Sequence, residues 1–184
     1  MRAAFKGAVL AKGAKKSRRA RPGRDPGSRV FSCLGDLLAS HARSASDRVA
    51  ILAPGRSPMT YGTLWVQATE TVHRLRELGV GRRDRVAVVL PDGPEAAVTM
   101  ISVAAGAVCV PLNPGFTADE WRRYFGELRV AALLTRPDIE SASRRAALSL
   151  DIPVIDLPKP SHDGANPFSI SVSIKRKISD EGFA

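Results

Sequence analysis

Four short apolar runs, "RVAVVLP" (85–91), "VCVPL" (108–112), "VAALLT" (130–135) and "PVIDL" (153–157), recur at near-equal intervals with helix-patterned sequence between them. A strand that is apolar at every position, not at alternate ones, has no face to give to water. It is satisfied only inside a sheet that is covered on both sides. Strands that alternate with helices run parallel, because each helix carries the chain back to the same end of the sheet, and their crossovers are right-handed. The expected fold class is therefore α/β: a doubly wound, mostly parallel sheet with helices on both faces.

The segments between and before the runs carry helix signals. In "TLWVQATETVHRLRELGV" (63–80), Leu64, Ala68, Val72, Leu75 and Leu78 share one face, and Gly79 is placed to end the helix. Residues 93–105 are apolar almost all round, which predicts a buried helix with Pro94 in its first turn. Asp92 with Glu95, and Thr117 with Glu120, have the spacing of capping boxes, the second opening a helix over 118–128. Pro137 is expected to open a helix over 138–149. Upstream, "FSCLGDLLASHA" (31–42) places Phe31, Leu34, Leu38 and Ala42 at helical spacing, and "RVAILAPGRSPMTY" (48–61) reads as a hairpin around Pro54–Ser57. Downstream, 158–184 reads as a loop plus a strand-like tail. There "FSISVSI" alternates Phe168, Ile170, Val172 and Ile174 but has no evident strand to pair with.

Charge divides the chain. Its net charge is +10, yet residues 1–30 alone carry +9 and residues 31–184 only +1. Residues 1–30 combine high charge with low hydrophobicity and are expected to be a disordered basic arm. Three roles are open to such an arm: weak, non-specific binding of nucleic acid or another acidic partner, organelle targeting, or none. A single aromatic residue, Phe5, stands among its basic ones, which counts against nucleic acid.

Two cysteines, Cys33 and Cys109, form no CxxC pair, and His41, His73 and His162 lack metal-ligand spacing. No disulfide framework is implied, so a cytoplasmic location is expected. No apolar run is long enough to span a bilayer.

Doubly wound sheets hold phosphates on glycines at a helix N-terminus straight after a strand. Here that junction is "VVLPDGPEAA", where Pro94 removes a backbone donor and Asp92 repels phosphate. No GxGxxG, GxxxxGK[ST] or GxSxG pattern occurs. Asp119 and Glu120 suit the first turn of a helix through its dipole. Trp121, Tyr124, Phe125 and Leu128 form a helical stripe of core character. Asn113, Pro114 and Gly115, after the second run, are ordinary turn residues. No catalytic, cofactor-binding or metal-binding residue is assigned.

Four stretches in register, "MTYGTL", "LRELGVGRRDRVAVVLPDGPE", "AAGAVCVPLNPGFTADE" and "LLT", resemble the N-terminal subdomain of the adenylate-forming (AMP-binding) enzymes. The resemblance covers about residues 31–157, and "PLNPGFTADEWRRYF" looks closer to the acyl-CoA synthetase branch than to amino-acid-activating domains. It implies a family that activates a carboxylic acid with ATP and Mg as an acyl-adenylate. The acyl group then passes to CoA or a phosphopantetheine thiol. The family's Ser/Thr/Gly-rich loop ending in Pro-Lys has no counterpart in 158–184. The expectation is an incomplete, inactive member, truncated before that loop, which binds none of these cofactors itself and pairs with the remainder of the enzyme or self-associates. The Asn113–Gly115 loop is then a scaffold connection. The alternative is a non-catalytic binding module working through the basic arm.

If the arm binds nucleic acid, binding is sequence-independent and falls steeply with salt. Deleting residues 1–29 is expected to abolish it in a filter-binding titration while leaving the circular dichroism of the remainder unchanged. Salt-insensitive binding that survives the deletion contradicts this.

Overall fold

The computed structural model describes residues 31–137, 142–157 and 173–175. The chain divides into residues 1–30, which lie outside the described residues, and a unit that begins at Phe31. The elements are α1 (Leu34–Ser44), β1 (Val49–Ile51), β2 (Met59–Thr60), α2 (Tyr61–Glu77), β3 (Arg85–Val88) and α3 (Pro94–Ala104). They continue with β4 (Val108–Pro111), α4 (Ala118–Glu127), β5 (Val130–Thr135), α5 (Ala142–Ser149), β6 (Val154–Asp156) and β7 (Ser173–Lys175).

The main sheet has the order β4-β3-β5-β6-β7, and β1 and β2 form a separate antiparallel hairpin as the turn at Pro54–Ser57 predicts. Strands β3, β4, β5 and β6 are all parallel. From β3 the chain steps outward to β4, then crosses back over β3 to β5. That reversal places α3 on one face and α4 and α5 on the other, as right-handed crossovers require. Two cores result. Val86, Val88, Leu90, Ala132, Leu134 and Ile155 face α1, α2 and α3. Ala87, Val89, Leu133 and Val154 face Trp121 and Phe125 of α4 and Ala146 and Ala147 of α5. Residues 86–89 are at most 1% exposed, which confirms the reading of a strand buried on both faces.

Two expectations need correcting. Residues 173–175 are paired: β7 runs antiparallel to β6, with Ile155 opposite Ile174. β6 otherwise ends the parallel sheet, and its outer row of N–H and C=O groups takes the tail as a partner. The rest of 158–184, and the start of the helix expected from residue 138, lie outside the described residues. Second, β4 is the sheet's other edge, and Val108 is 42% exposed. An unbroken apolar run there marks an edge strand, not one buried on both faces.

The end of α2 follows its sequence signal. At the end of α2, Gly79 adopts φ +78 and donates to the Arg76 carbonyl at 2.9 Å, while Val80 donates to Leu75 at 2.9 Å. These two bonds make a Schellman motif, which only a residue tolerant of positive φ allows cheaply. Arg76 then reaches over to the Gly106 carbonyl at 2.7 Å, tying the end of α2 to the end of α3. Gly106 itself is buried against Val72, and a Cβ there would stand 2.5 Å from a Val72 methyl. Near the sheet's far side, Arg144 of α5 pairs with the buried carboxylate of Asp156 and donates to the Arg136 carbonyl at 3.1 Å.

Gly106→Val is expected to destabilise the protein by about 1–3 kcal/mol through overpacking of α2 against the turn before β4. Urea denaturation checks this. A midpoint unchanged from wild type contradicts the close packing.

Candidate functional site

In open α/β sheets ligands bind beyond the carboxyl ends of the strands. At that end, the segments after β3 and β4 border a cleft of about 430 Å³. Val88, Leu90, Met100 and Leu112 supply an apolar floor, and Asp92 and Asn113 supply the polar rim. Asn113 Oδ1 accepts the Gly115 N–H at 2.9 Å, and the Asn113 carbonyl accepts from Phe116 N–H at 3.3 Å, so the Asn113–Gly115 loop is closed on itself.

The two helices that begin beside the cleft differ at their N-termini. At α4 the capping box forms as the sequence predicts: Thr117 Oγ1 accepts from Glu120 N–H, and Glu120 Oε2 accepts from the Thr117 N–H at 2.8 Å. The Thr117 hydroxyl also donates to Glu120 Oε2 at 2.8 Å. The backbone bond first, and the hydroxyl second, hold the Glu120 carboxyl below the usual carboxylate range. Phe116, just ahead of the cap, packs edge-on to Trp121 at 5.3 Å and stacks on Tyr124 at 4.9 Å. This hydrophobic staple fixes how the loop enters the helix. Phe116 was missed in the sequence. An apolar residue directly before a capping box was the available signal.

At α3 the expected Asp92–Glu95 box does not form. The N-cap is Gly93, no side chain caps it, and Pro94 takes the first position as expected. Glu95 instead binds Arg56 of the β1–β2 turn at 2.8 Å, fastening the hairpin to the start of α3. A charged partner distant in sequence outcompetes the local backbone bond for the carboxylate.

These facts decide what the cleft can hold. A phosphate needs free backbone N–H groups and positive potential. Here Pro94 lacks the N–H, Asp92 is exposed, Glu95 lies in the first turn of α3, and the first turn of α4 carries Asp119 and Glu120. The residues present do not fit a polyphosphate. Of the aromatic stripe, Trp121 and Phe125 are buried and Tyr124 and Leu128 half-buried, as core residues. Among the described residues no group of three or more His, Cys, Asp or Glu stands together as a metal site needs. Burial pushes the Cys109 thiol up to about 11, which keeps it protonated and inert near neutral pH.

Residues 38–171 match the sequence pattern described as AMP-binding enzyme. The chain is 34% identical over 132 residues to "Probable CoA ligase CCL9" of Humulus lupulus, covering 71% of this chain and 25% of that protein. It is 40% identical over 94 residues to the acetyl-coenzyme A synthetase of Shewanella oneidensis, covering 48% of this chain and 14% of that one. The fold is shared with apo MatB from Rhodopseudomonas palustris, with a TM-score of 0.57 and 23% identity over 73% of this chain and 27% of that one. The chain thus spans about a quarter or less of the length of these relatives.

The capping box makes a signed prediction. Because the folded-state pKa of Glu120 is lowered, its contribution to stability is present above the unfolded carboxylate value and is lost as pH falls through the folded one. Glu120→Gln is therefore expected to lower the thermal midpoint near about pH 7 and to match wild type near about pH 3. Thr117→Ala is expected to cost about 1 kcal/mol at neutral pH. Equal effects of Glu120→Gln at both pH values contradict the assignment.

Proposed function

The chain belongs to the AMP-binding enzyme family, and from that membership we propose that it supplies scaffold, not chemistry, to an acyl-CoA synthetase-like acid–thiol ligase. The observation that carries this reading is the match over residues 38–171. The relatives' names, CoA ligase and acetyl-coenzyme A synthetase, favour the acyl-CoA branch. In a complete enzyme of this kind, ATP and Mg would activate a carboxylic acid, and the acyl group would pass to CoA or a phosphopantetheine thiol. Two observations support the view that this chain does not do so alone. The helix N-termini beside the cleft are occupied or acidic, which does not suit a nucleotide. Residues 158–184 carry no Ser/Thr/Gly-rich loop ending in Pro-Lys. On this reading the Asn113–Gly115 loop is structural, and the catalytic groups come from a further segment or a partner. A cytoplasmic location accords with the scattered cysteines, and no helix among the described residues is long and apolar enough to cross a membrane.

Purified chain is expected to give no carboxylate-dependent exchange of pyrophosphate into ATP. Exchange above background with any carboxylic acid, in a preparation free of other ligases, refutes the reading.

A further inference from the structure

Parallel topology gathers every helix-to-strand turn at one end of the sheet, opposite the cleft. Three of these turns hold Arg82, Arg83, Arg129 and Leu150, and Arg85 opens β3 beside them; all are exposed. Arg85 is the Cα partner of both Val108 on β4 and Val130 on β5, and Arg129 directly precedes Val130. Arg85 and Arg129 therefore have Cα atoms within roughly 9 Å of each other.

Among the described residues none of the four arginines is paired with a carboxylate, and Arg82 donates only to Cys33 Sγ, at 3.0 Å. The acids at this end are otherwise engaged, with two exceptions, the exposed Asp36 near Cys33 and Asp151. Asp84 accepts the Gly81 N–H, Glu127 binds Arg123 at 2.8 Å and Glu77 binds Arg74 at 3.1 Å, while Asp151 is exposed. Interleaved with the cations are two aliphatic side chains, Val108 at 42% and Leu150 at 43% exposure.

We propose that this end of the sheet docks on an anionic lipid bilayer. The guanidinium groups meet headgroup phosphates. Val108 and Leu150 enter the boundary between headgroups and acyl chains, where exposed apolar side chains gain what water denies them. Nucleic acid is the poorer fit. Valine and leucine gain nothing against a sugar–phosphate backbone, and the four helix-to-strand turns hold no aromatic residue on which a base could stack. The surface is independent of the ligase reading, and docking through it leaves the cleft at the far end open.

Flotation of the full chain with phosphatidylcholine vesicles, with and without phosphatidylserine, tests the proposal. Binding is expected only with phosphatidylserine and is expected to weaken with salt. Arg83→Glu/Arg129→Glu, both in turns, is expected to lower the partition coefficient by about 25-fold or more. Arg83→Gln/Arg129→Asn is expected to give a smaller loss, and asparagine tolerates the φ of +47 at position 129. Circular dichroism verifies that both variants fold. To separate out the arm, the same pair is compared in a chain with Lys15, Lys16, Arg18 and Arg19 changed to Gln, where its effect is expected to persist. Three results overturn the proposal: wild type that ignores phosphatidylserine, paired variants that bind like wild type, or a chain that prefers single-stranded RNA to vesicles and loses only the RNA when the pair is changed.

Discussion

Everything in the described unit depends on β3 being buried on both faces. It lies between β4 and β5, and its side chains alternate between two separate cores. Val86 and Val88 meet the α1–α3 layer, whereas Ala87 and Val89 meet the α4–α5 layer. A one-residue slip would exchange these sets, putting a valine where α4 and α5 leave room for an alanine. The register is thus specified from both sides at once. The reversal of direction at β3, outward to β4 and back to β5, is what places helices on both faces.

The two ends of that sheet are chemically unlike, and the connections make them so. Where the strands end, α3 and α4 begin with acids; a proline removes one backbone donor at α3, and a capping box occupies the terminus of α4. Doubly wound folds elsewhere use such termini for phosphate. Where the strands begin, the turns are built from the Schellman motif at Gly79, the Arg76 strut to Gly106 and the Asp84 carboxylate on Gly81. Among the described residues, Arg82, Arg83, Arg85 and Arg129 there serve no fold interaction with a carboxylate. One end therefore has its polar capacity spent internally, and the other presents unspent positive charge.

What could be read from the sequence was what is decided locally. The fully apolar runs, the Thr117–Glu120 box, the Gly79 stop and the Pro54–Ser57 hairpin depend on neighbours a few residues away, and all of them formed. The Asp92–Glu95 box failed because Arg56, 39 residues from Glu95, claims the carboxylate, and that competition has no local trace. The edge position of β4 and the pairing of β7 with β6 were likewise hidden, since strand order is set by crossovers and not by the strand's own residues. The Arg144–Asp156 pair was not anticipated. A charged residue at a strand's end reads as exposed until the opposing helix is known to cover it. In the candidate site, the closed Asn113–Gly115 loop followed from its turn residues, whereas the cleft itself required the relative placement of β3, β4 and α3.

Native-state hydrogen exchange followed by NMR tests the central place of β3 most directly. If β3 is the shared strand of both cores, the amides of residues 86–89 exchange only through global unfolding and are the slowest in the chain, with the edge strand β4 and the β1–β2 hairpin exchanging faster through local opening. Exchange of 86–89 as fast as that of 108–110 would mean that the two cores do not share β3, and would contradict the account.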